Sequence, residues 1–317
     1  DEIAGWIEQD ARVETLVRYP RLIGRFQEDV IVLRPLERVT ERLQQGRMRV
    51  RTQAFTLGDR GRMDAALAVS AGVQGTPRAA ASFACHCSGR HRVTYAWAVL
   101  HGHLCLFADC PDGLFMALPP LGPGPLAQPL AEALRFMRER NGDSRVTRVE
   151  NVPEACVDEV RALGYRATAK EPDYLYDASA LSDLSGESFK SPRAACNRFI
   201  RERGGMLEPY EPRDERACVS LFHEWREQKQ QAGSDDWACA LLEDAAGAHE
   251  TALSDAAELG LIGAVVRVGG RIRAYTMGLW LNPSVFCVLL EVADRDIVGL
   301  GPFVFREFCR QARAKGA

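Results

Sequence analysis

The sequence predicts an α+β protein built as two tandem mixed-sheet domains. Three observations carry this reading. The chain has 317 residues, more than one ordinary domain holds. Short runs rich in β-branched and aromatic residues alternate with amphipathic helical stretches. One order of elements (hairpin, strand, glycine loop, helix) occurs twice, which reads as a duplicated unit.

Residues 1–48 show helical spacing at Ile3, Trp6 and Ile7, at Val13, Leu16 and Val17, and at Leu36, Val39 and Leu43, with Gly46 closing the run. They read as a helical N-terminal extension. The first mixed-sheet domain is assigned to 49–176. In it "VTYAWAVL" is a strand, "HG" a two-residue turn and "HLCLFA" the return strand. "CPDG" turns into "LFMAL", the Pro/Gly loop "PPLGPGPL" follows, and "AQPLAEALRFMRER" is an amphipathic helix. "SRVTRVENV", "PEACVDEVRALG" and "YRATAKEPDYLYD" close the unit as strand, helix and strand.

The second domain is assigned to 177–317. "LGLIGAVVRV", the turn Gly269–Gly270 and "RIRAYTMGLWL" form its hairpin. "VFCVLLEV", the loop "ADRDIVGLG" and the helix "PFVFREFCRQARAKG" follow. The first unit continues past its helix through strand, helix and strand, and the second does not. An unpaired sheet edge is expected there, which suggests a C-terminal part lying beyond these residues.

Composition excludes several classes. Apolar residues make up 46% and charged residues 26%, as in globular proteins. No run approaches the roughly 18 apolar residues of a membrane span. The ten cysteines are too dispersed for a secreted disulfide scaffold, so reduced thiols and a cytoplasmic setting are expected. A net charge of -3 leaves any phosphate-bearing partner to a local basic patch.

The stretch "SFKSPRAACNRFIRERGG" is the candidate patch. Ser191 reads as its N-cap, Pro192 as the first helical residue and Gly204 as the exit. Cys196, Phe199 and Ile200 are expected to face inward. Arg193, Asn197 and Arg201, with Lys190 ahead of the cap, form an outward stripe suited to phosphate. The alternative is a solvated helix. Asp296, Gly299 and Gly301 in "DRDIVGLGPFVF" form a second candidate, a strand–helix turn presenting N–H groups to a pyrophosphate or carbonyl, or else a plain turn. Glu291 ends the preceding strand. It is placed to act as general base for an amine or to orient one, the alternative being a rim carboxylate paired with an arginine. Cys85, His86, Cys87, His91, His101, His103, Cys105 and Cys110 are dense in metal-binding types but lack paired ligand spacing, so no metal is assigned. In "LFHEWREQKQQAG", Leu221, Phe222 and Trp225 are expected to be core.

Together, "DYLYDASALSDLSGESFKSPRAACNRFIRE", "LGLIGAVVRVGGRIRAYTMG" and "LLEVADRDIVGLG" make residues 50–317 resemble the phosphatidylglycerol lysyltransferase C-terminal domain family. The resemblance implies two tandem GNAT-like (acetyltransferase-like) domains. It also implies transfer of an aminoacyl group from aminoacyl-tRNA to a lipid headgroup or small-molecule acceptor, the arginine helix holding phosphates of the tRNA acceptor end. The family often has a lysine where this chain has Val292. Membrane association would come from segments outside this sequence. Two alternatives remain: an acyl-coenzyme A-dependent N-acyltransferase, and a non-catalytic module binding RNA or phosphorylated ligands.

Overall fold

A computed structural model describes residues 31–35, 50–74, 78–91, 93–142, 146–169, 175–231 and 236–316. The chain divides into two compact units with the border between residues 173 and 174.

The N-terminal unit holds a seven-stranded mixed sheet in the order β2-β3-β4-β5-β6-β1-β7. Its strands are β1 (Ile31–Pro35), β2 (Gln53–Ala54), β3 (Thr94–Leu100), β4 (His103–Cys110), β5 (Gly113–Met116), β6 (Val149–Val152) and β7 (Tyr165–Ala169). β5 and β6 run parallel and meet at Met116 and Val149; the other neighbours are antiparallel. The β3–β4 turn uses His101 and Gly102, with φ of 49° and 79°, the positive values that a tight hairpin needs. Helices α1 (Arg60–Gln74) and α2 (Phe83–Ser88) precede the meander, α3 (Ala127–Asn141) follows it, and α4 (Val157–Ala162) joins β6 to β7. The apolar stripe of α3, with Leu130, Ala133, Leu134 and Met137, packs on Cys105, Phe107, Met116 and Val149. At the end of α3, Asn141 accepts from the Leu114 N–H at 2.7 Å and donates to the Leu114 carbonyl at 2.7 Å, tying helix to β5.

The helical reading of residues 1–48 is corrected at Ile31–Pro35. That stretch is a strand placed between β6 and β7, with Leu33 opposite Val149 on one side and Ala167 on the other. "IVLRP" is too short to distinguish strand from helix by period, and a sheet with two open neighbours decides it. The rest of 1–48, apart from these five residues, lies outside the described residues.

The C-terminal unit has a four-stranded antiparallel sheet in the order β11-β10-β9-β8, from β8 (Leu207–Pro209), β9 (Ile262–Val268), β10 (Arg271–Asn282) and β11 (Val285–Ala293). Gly269 and Gly270 turn β9 into β10 with φ of 59° and 75°. Helix α5 (Ala178–Asp183) leads into α6 (Lys190–Arg203); α7 (Glu215–Gln231), α8 (Asp236–Ser254) and α9 (Ala256–Leu259) come before β9, and α10 (Leu300–Ala314) follows β11. Side chains alternate across the sheet. Val265, Tyr275, Met277, Leu290 and Val292 pack against Leu221, Phe222 and Trp225 of α7 and Leu253 of α8. Val266 and Ala274 pack on the other face against Phe199 of α6 and Leu300, Phe303 and Val304 of α10.

The two units share one local plan. A short strand, two helices (three in the C-terminal unit), a three-stranded antiparallel meander, a glycine-bearing loop and a helix occur in both, and β2-β3-β4-β5 has the same strand order as β8-β9-β10-β11.

Within the α7/α8 layer, His249 Nδ1 lies 2.6 Å from the Tyr275 hydroxyl, and its ring stacks on Phe222. Burial pushes the imidazole down to about 3, so it folds neutral. An unfolded histidine titrates near 6.5, so the unfolded chain binds the extra proton as pH falls from 6.5 toward 3. The stability from neutral His249 is thus complete above that window and lost on acidification through it. In urea denaturation the stability difference between the wild type and His249→Gln is expected to shift by about 2 kcal/mol against the wild type between pH 7 and pH 5, the acid limbs of other groups being common to both.

Candidate functional site

The proposed site residues all lie in the C-terminal unit, on α6, β11 and the turn into α10. Helix α6 starts two residues earlier than its sequence signals indicate, at Lys190 instead of Pro192. A 3₁₀ turn over Glu187–Phe189 runs straight into it, so Phe189 takes the cap position without a side-chain bond, and Ser191 and Pro192 lie inside the first turn. Gly204 ends the helix in the left-handed conformation as expected, its N–H bonded to Ile200 O. Cys196 and Phe199 are buried, whereas Ile200 is 40% exposed, which corrects its inward assignment. Its place on the helix, about 140° from Ala195, puts it at the margin of the buried face.

The polar stripe separates into two parts. The Arg193 guanidinium turns back and donates to the Leu184 and Gly186 carbonyls. Leu184 is the left-handed residue that ends α5, so Arg193 closes that helix and fixes the loop into α6. Asn197 and Arg201 remain exposed. Arg201 lies 3.7 Å from Glu202, Arg198 pairs with the same carboxylate at 3.0 Å, and Lys190 lies 3.8 Å from Glu187.

The glycine turn packs against α6. Gly299 has φ 83°, and a Cβ there would lie 2.2 Å from the Ala195 carbonyl oxygen and 3.2 Å from Phe199 Cβ. Its missing side chain admits the α6 backbone, so the close approach at this position is made by the protein itself. Asp296 is exposed, with its N–H on Asp294 Oδ1 at 3.0 Å. Gly301 stands over β11, where a Cβ would come 3.9 Å from Ala293 Cβ. At 100° per residue, Asn197 points about 200° away from Ala195. The arginine stripe and the glycine turn therefore lie on different sides of α6 and do not form one cluster.

Glu291 is the residue whose surroundings depart most from an ordinary surface. Leu290 and Val292 belong to the core on the α7/α8 side, so Glu291 between them projects to the α10 side. It stands directly across from Thr276 on β10. The residue as a whole is half-buried, yet its Oε2 is buried without a hydrogen-bond partner, as is Thr276 Oγ1. Desolvation pushes the carboxyl up to about 8, and the Thr276 hydroxyl offsets only part of this. Cys309 of α10 shares the pocket; burial, with the charge of Glu291, pushes its thiol up to about 12. The buried guanidinium of Arg306 on α10 is 2.7 Å from Glu307. Among the described residues no arginine pairs with Glu291, which differs from the rim carboxylate considered as the alternative. The sequence signal that could have marked Thr276 is the register of the Gly269–Gly270 hairpin with the following strand.

The Cys/His stretch of the N-terminal unit disperses. His86 is buried with Nε2 2.7 Å from Ala80 O, and burial lowers it to about 4. His101 pairs with Glu132 at 2.7 Å, His103 Nδ1 meets the His101 carbonyl at 3.0 Å, and Cys105 is core. Among the described residues no group of three such side chains is placed to hold a metal ion. The loop "PPLGPGPL" is also occupied internally: the Leu126 N–H at the head of α3 donates to Glu159 Oε1 at 2.8 Å.

Comparison with known proteins gives the class first: two mixed α+β units of this order belong with a family of transferases. The family model described as phosphatidylglycerol lysyltransferase, C-terminal, matches residues 76–317, and the chain belongs to that family. No curated protein matches the sequence. Among solved structures, a conserved protein of unknown function from Bacteroides thetaiotaomicron VPI-5482 aligns with TM-score 0.69 and 22% identity, over 84% of this chain and 88% of that one. The C-terminal domain (DUF2156) of a candidate lysylphosphatidylglycerol synthetase from Agrobacterium fabrum aligns with TM-score 0.52 and 12% identity, over 82% and 77%. At these identities the likeness concerns the fold.

Arg193→Ala is expected to cost about 1–3 kcal/mol in urea denaturation, since two charge-assisted bonds are lost, while Arg201→Ala leaves stability within about 0.5 kcal/mol. Gly299→Ala forces both a left-handed alanine and an overlap with α6, and is expected to cost at least about 2 kcal/mol in the same measurement.

Proposed function

We propose that this chain transfers an aminoacyl group from aminoacyl-tRNA to a lipid headgroup or small-molecule acceptor, using two tandem GNAT-like units with the chemistry in the C-terminal one. The observation that carries the proposal is the Glu291 carboxyl, buried at one oxygen, unpaired, and poised near neutrality on an edge strand. The matching β2–β5 and β8–β11 plans support the tandem reading.

In this reading the acceptor amine or hydroxyl attacks the donor ester carbonyl. Glu291, once ionised, takes the nucleophile's proton. In the turn ahead of α10 the Leu300 N–H already bonds Ile297 O, that of Phe303 bonds Gly299 O, and Pro302 has none. Gly301 supplies the remaining N–H for the developing oxyanion. The exposed Asn197 and Arg201, with Lys190, serve the phosphates of the acceptor end, while Arg193 acts through the α5–α6 loop. The cytoplasmic location that such a donor requires belongs to the same proposal. Among the described residues no helix is long and apolar enough to cross a membrane.

Two contacts weigh against acyl-coenzyme A as donor. Glu159 occupies the helix head that a pyrophosphate would take in the N-terminal unit, and the Ala195 carbonyl backs onto Gly299 in the other.

A base must be ionised to act, so transfer from an aminoacylated RNA minihelix is expected to fall as pH drops below about 8. Glu291→Gln is expected to lose this limb together with about 10²–10⁴ of kcat, with the fold intact by circular dichroism. Full transfer by that variant would remove Glu291 from the mechanism.

A further inference from the structure

The pocket under α10 is unbalanced in hydrogen-bonding terms. Glu291 Oε2 and Thr276 Oγ1 are both buried without a well-formed hydrogen bond, and they face each other across the β10–β11 pair, close enough for the hydroxyl to hold the carboxyl partly down. An ionised carboxylate only accepts, a threonine hydroxyl has one donor and two acceptor lone pairs, and a thiol donates weakly. The groups facing Glu291 are thus Thr276 from β10 and Cys309 from α10, neither of them cationic. Arg306 on α10 is held by Glu307 at 2.9 Å, Arg273 on β10 by Asp294 at 2.9 Å, and Arg267 on β9 by Asp214 at 2.7 Å. Among the described residues no counter-ion stands at Glu291, and a buried carboxylate without one is costly. A primary ammonium supplies both missing elements, a positive charge and three N–H donors.

We infer that the Glu291–Thr276 pocket binds the primary ammonium of an amine substrate, Glu291 as its counter-ion and Thr276 as a second acceptor. This rests on the reading of Glu291 as a site carboxyl and adds the class of group that the site recognises. The shared chemistry is R–NH3+, carried either by the acceptor or by the aminoacyl part of the donor. The proton balance is explicit. A neutral carboxyl loses its proton to the buffer as the ammonium enters with all three of its own. For an acceptor amine, the resulting carboxylate then takes one of those three before attack. The upward displacement of Glu291 toward 8 makes this release measurable at neutral pH.

The test is titration calorimetry of the full chain at pH 7 with n-butylammonium chloride and, as the uncharged isostere, n-butanol. Each is run in phosphate and in Tris, whose ionisation heats differ. The ammonium is expected to bind with close to one proton released per site, and butanol is expected not to bind. Glu291→Gln is expected to weaken the ammonium by at least about tenfold and abolish the proton release. Thr276→Val, close in shape, is expected to weaken it less and keep the release. Equal binding of alcohol and ammonium, absence of ammonium binding, or unchanged binding by Glu291→Gln would each overturn the inference. The source of the amine is separated by competing butylammonium with glycerol-linked lysine esters and with a minihelix carrying an N-acetylated or a free aminoacyl group. Displacement by the free but not the acetylated minihelix places the ammonium on the donor, and displacement by the ester alone on the acceptor. Ammonium binding without transfer would sink the transferase reading and leave the pocket standing; transfer without ammonium binding would do the reverse.

Discussion

The close seating of α10 on the C-terminal sheet is the constraint on which the site depends. Gly299 makes it possible, because any side chain there would strike the α6 backbone at Ala195. With α6 and the α10 turn in contact, Leu300, Phe303 and Val304 reach the sheet face formed by Val266 and Ala274. Phe308 meets Phe286 further along, at 5.3 Å between ring centroids. This apolar cover removes water from the same face of β10 and β11 that carries Thr276 and Glu291. The elevated carboxyl is thus a consequence of helix packing rather than of a charged neighbour.

Magnitudes explain why the fold tolerates such a pocket. Burying the four large apolar side chains of α10 contributes on the order of 10 kcal/mol, as an upper estimate. Leaving a polar atom buried and unpaired costs about 1–3 kcal/mol. An ionised carboxylate without a partner would cost far more, and taking up a proton near neutral pH avoids that state. The packing thus readily outweighs one neutral, unsatisfied carboxyl. What it does not remove is the mismatch itself, which persists until a ligand brings charge and donors together.

Much of this architecture was legible in the sequence because it rests on local signals. Alternating apolar residues marked β3, β4, β9 and β10, paired turn residues marked their hairpins, and Gly204 marked the end of α6. Glu291 was legible as a carboxyl at a strand end. Its partner Thr276 was not, because cross-strand register emerges only from the assembled sheet with its irregularity at Met277/Gly278. The strand at Ile31–Pro35 was missed because its neighbours, β6 and β7, lie more than a hundred residues away in sequence. Arginine spacing suggested one anion-binding stripe, yet a guanidinium also satisfies helix-terminal carbonyls, and Arg193 is used that way. Spacing reports which face a residue occupies, not whether its donors are already taken.

The two units treat equivalent structural places differently, and the difference points to a division of roles. In the N-terminal unit three polar groups near the loop into α3 find partners within the chain, although His103 Nε2 beside Gly122 is buried without one. Glu159 takes the Leu126 N–H, Asn151 Nδ2 donates to Ala117 O, and Arg78 donates to Asn151 O. These hydrogen bonds favour a single arrangement of the loop. The C-terminal unit, built on the same four-strand plan, leaves a carboxyl oxygen and a hydroxyl unanswered beneath its helix. Mutations that loosen the first network should therefore act through stability, whereas changes to Glu291 or Thr276 should act through recognition at little cost to the fold. The four-strand plan is common to both units, and in the second it sets the Glu291 carboxyl oxygen and the Thr276 hydroxyl beneath α10 without a hydrogen bond.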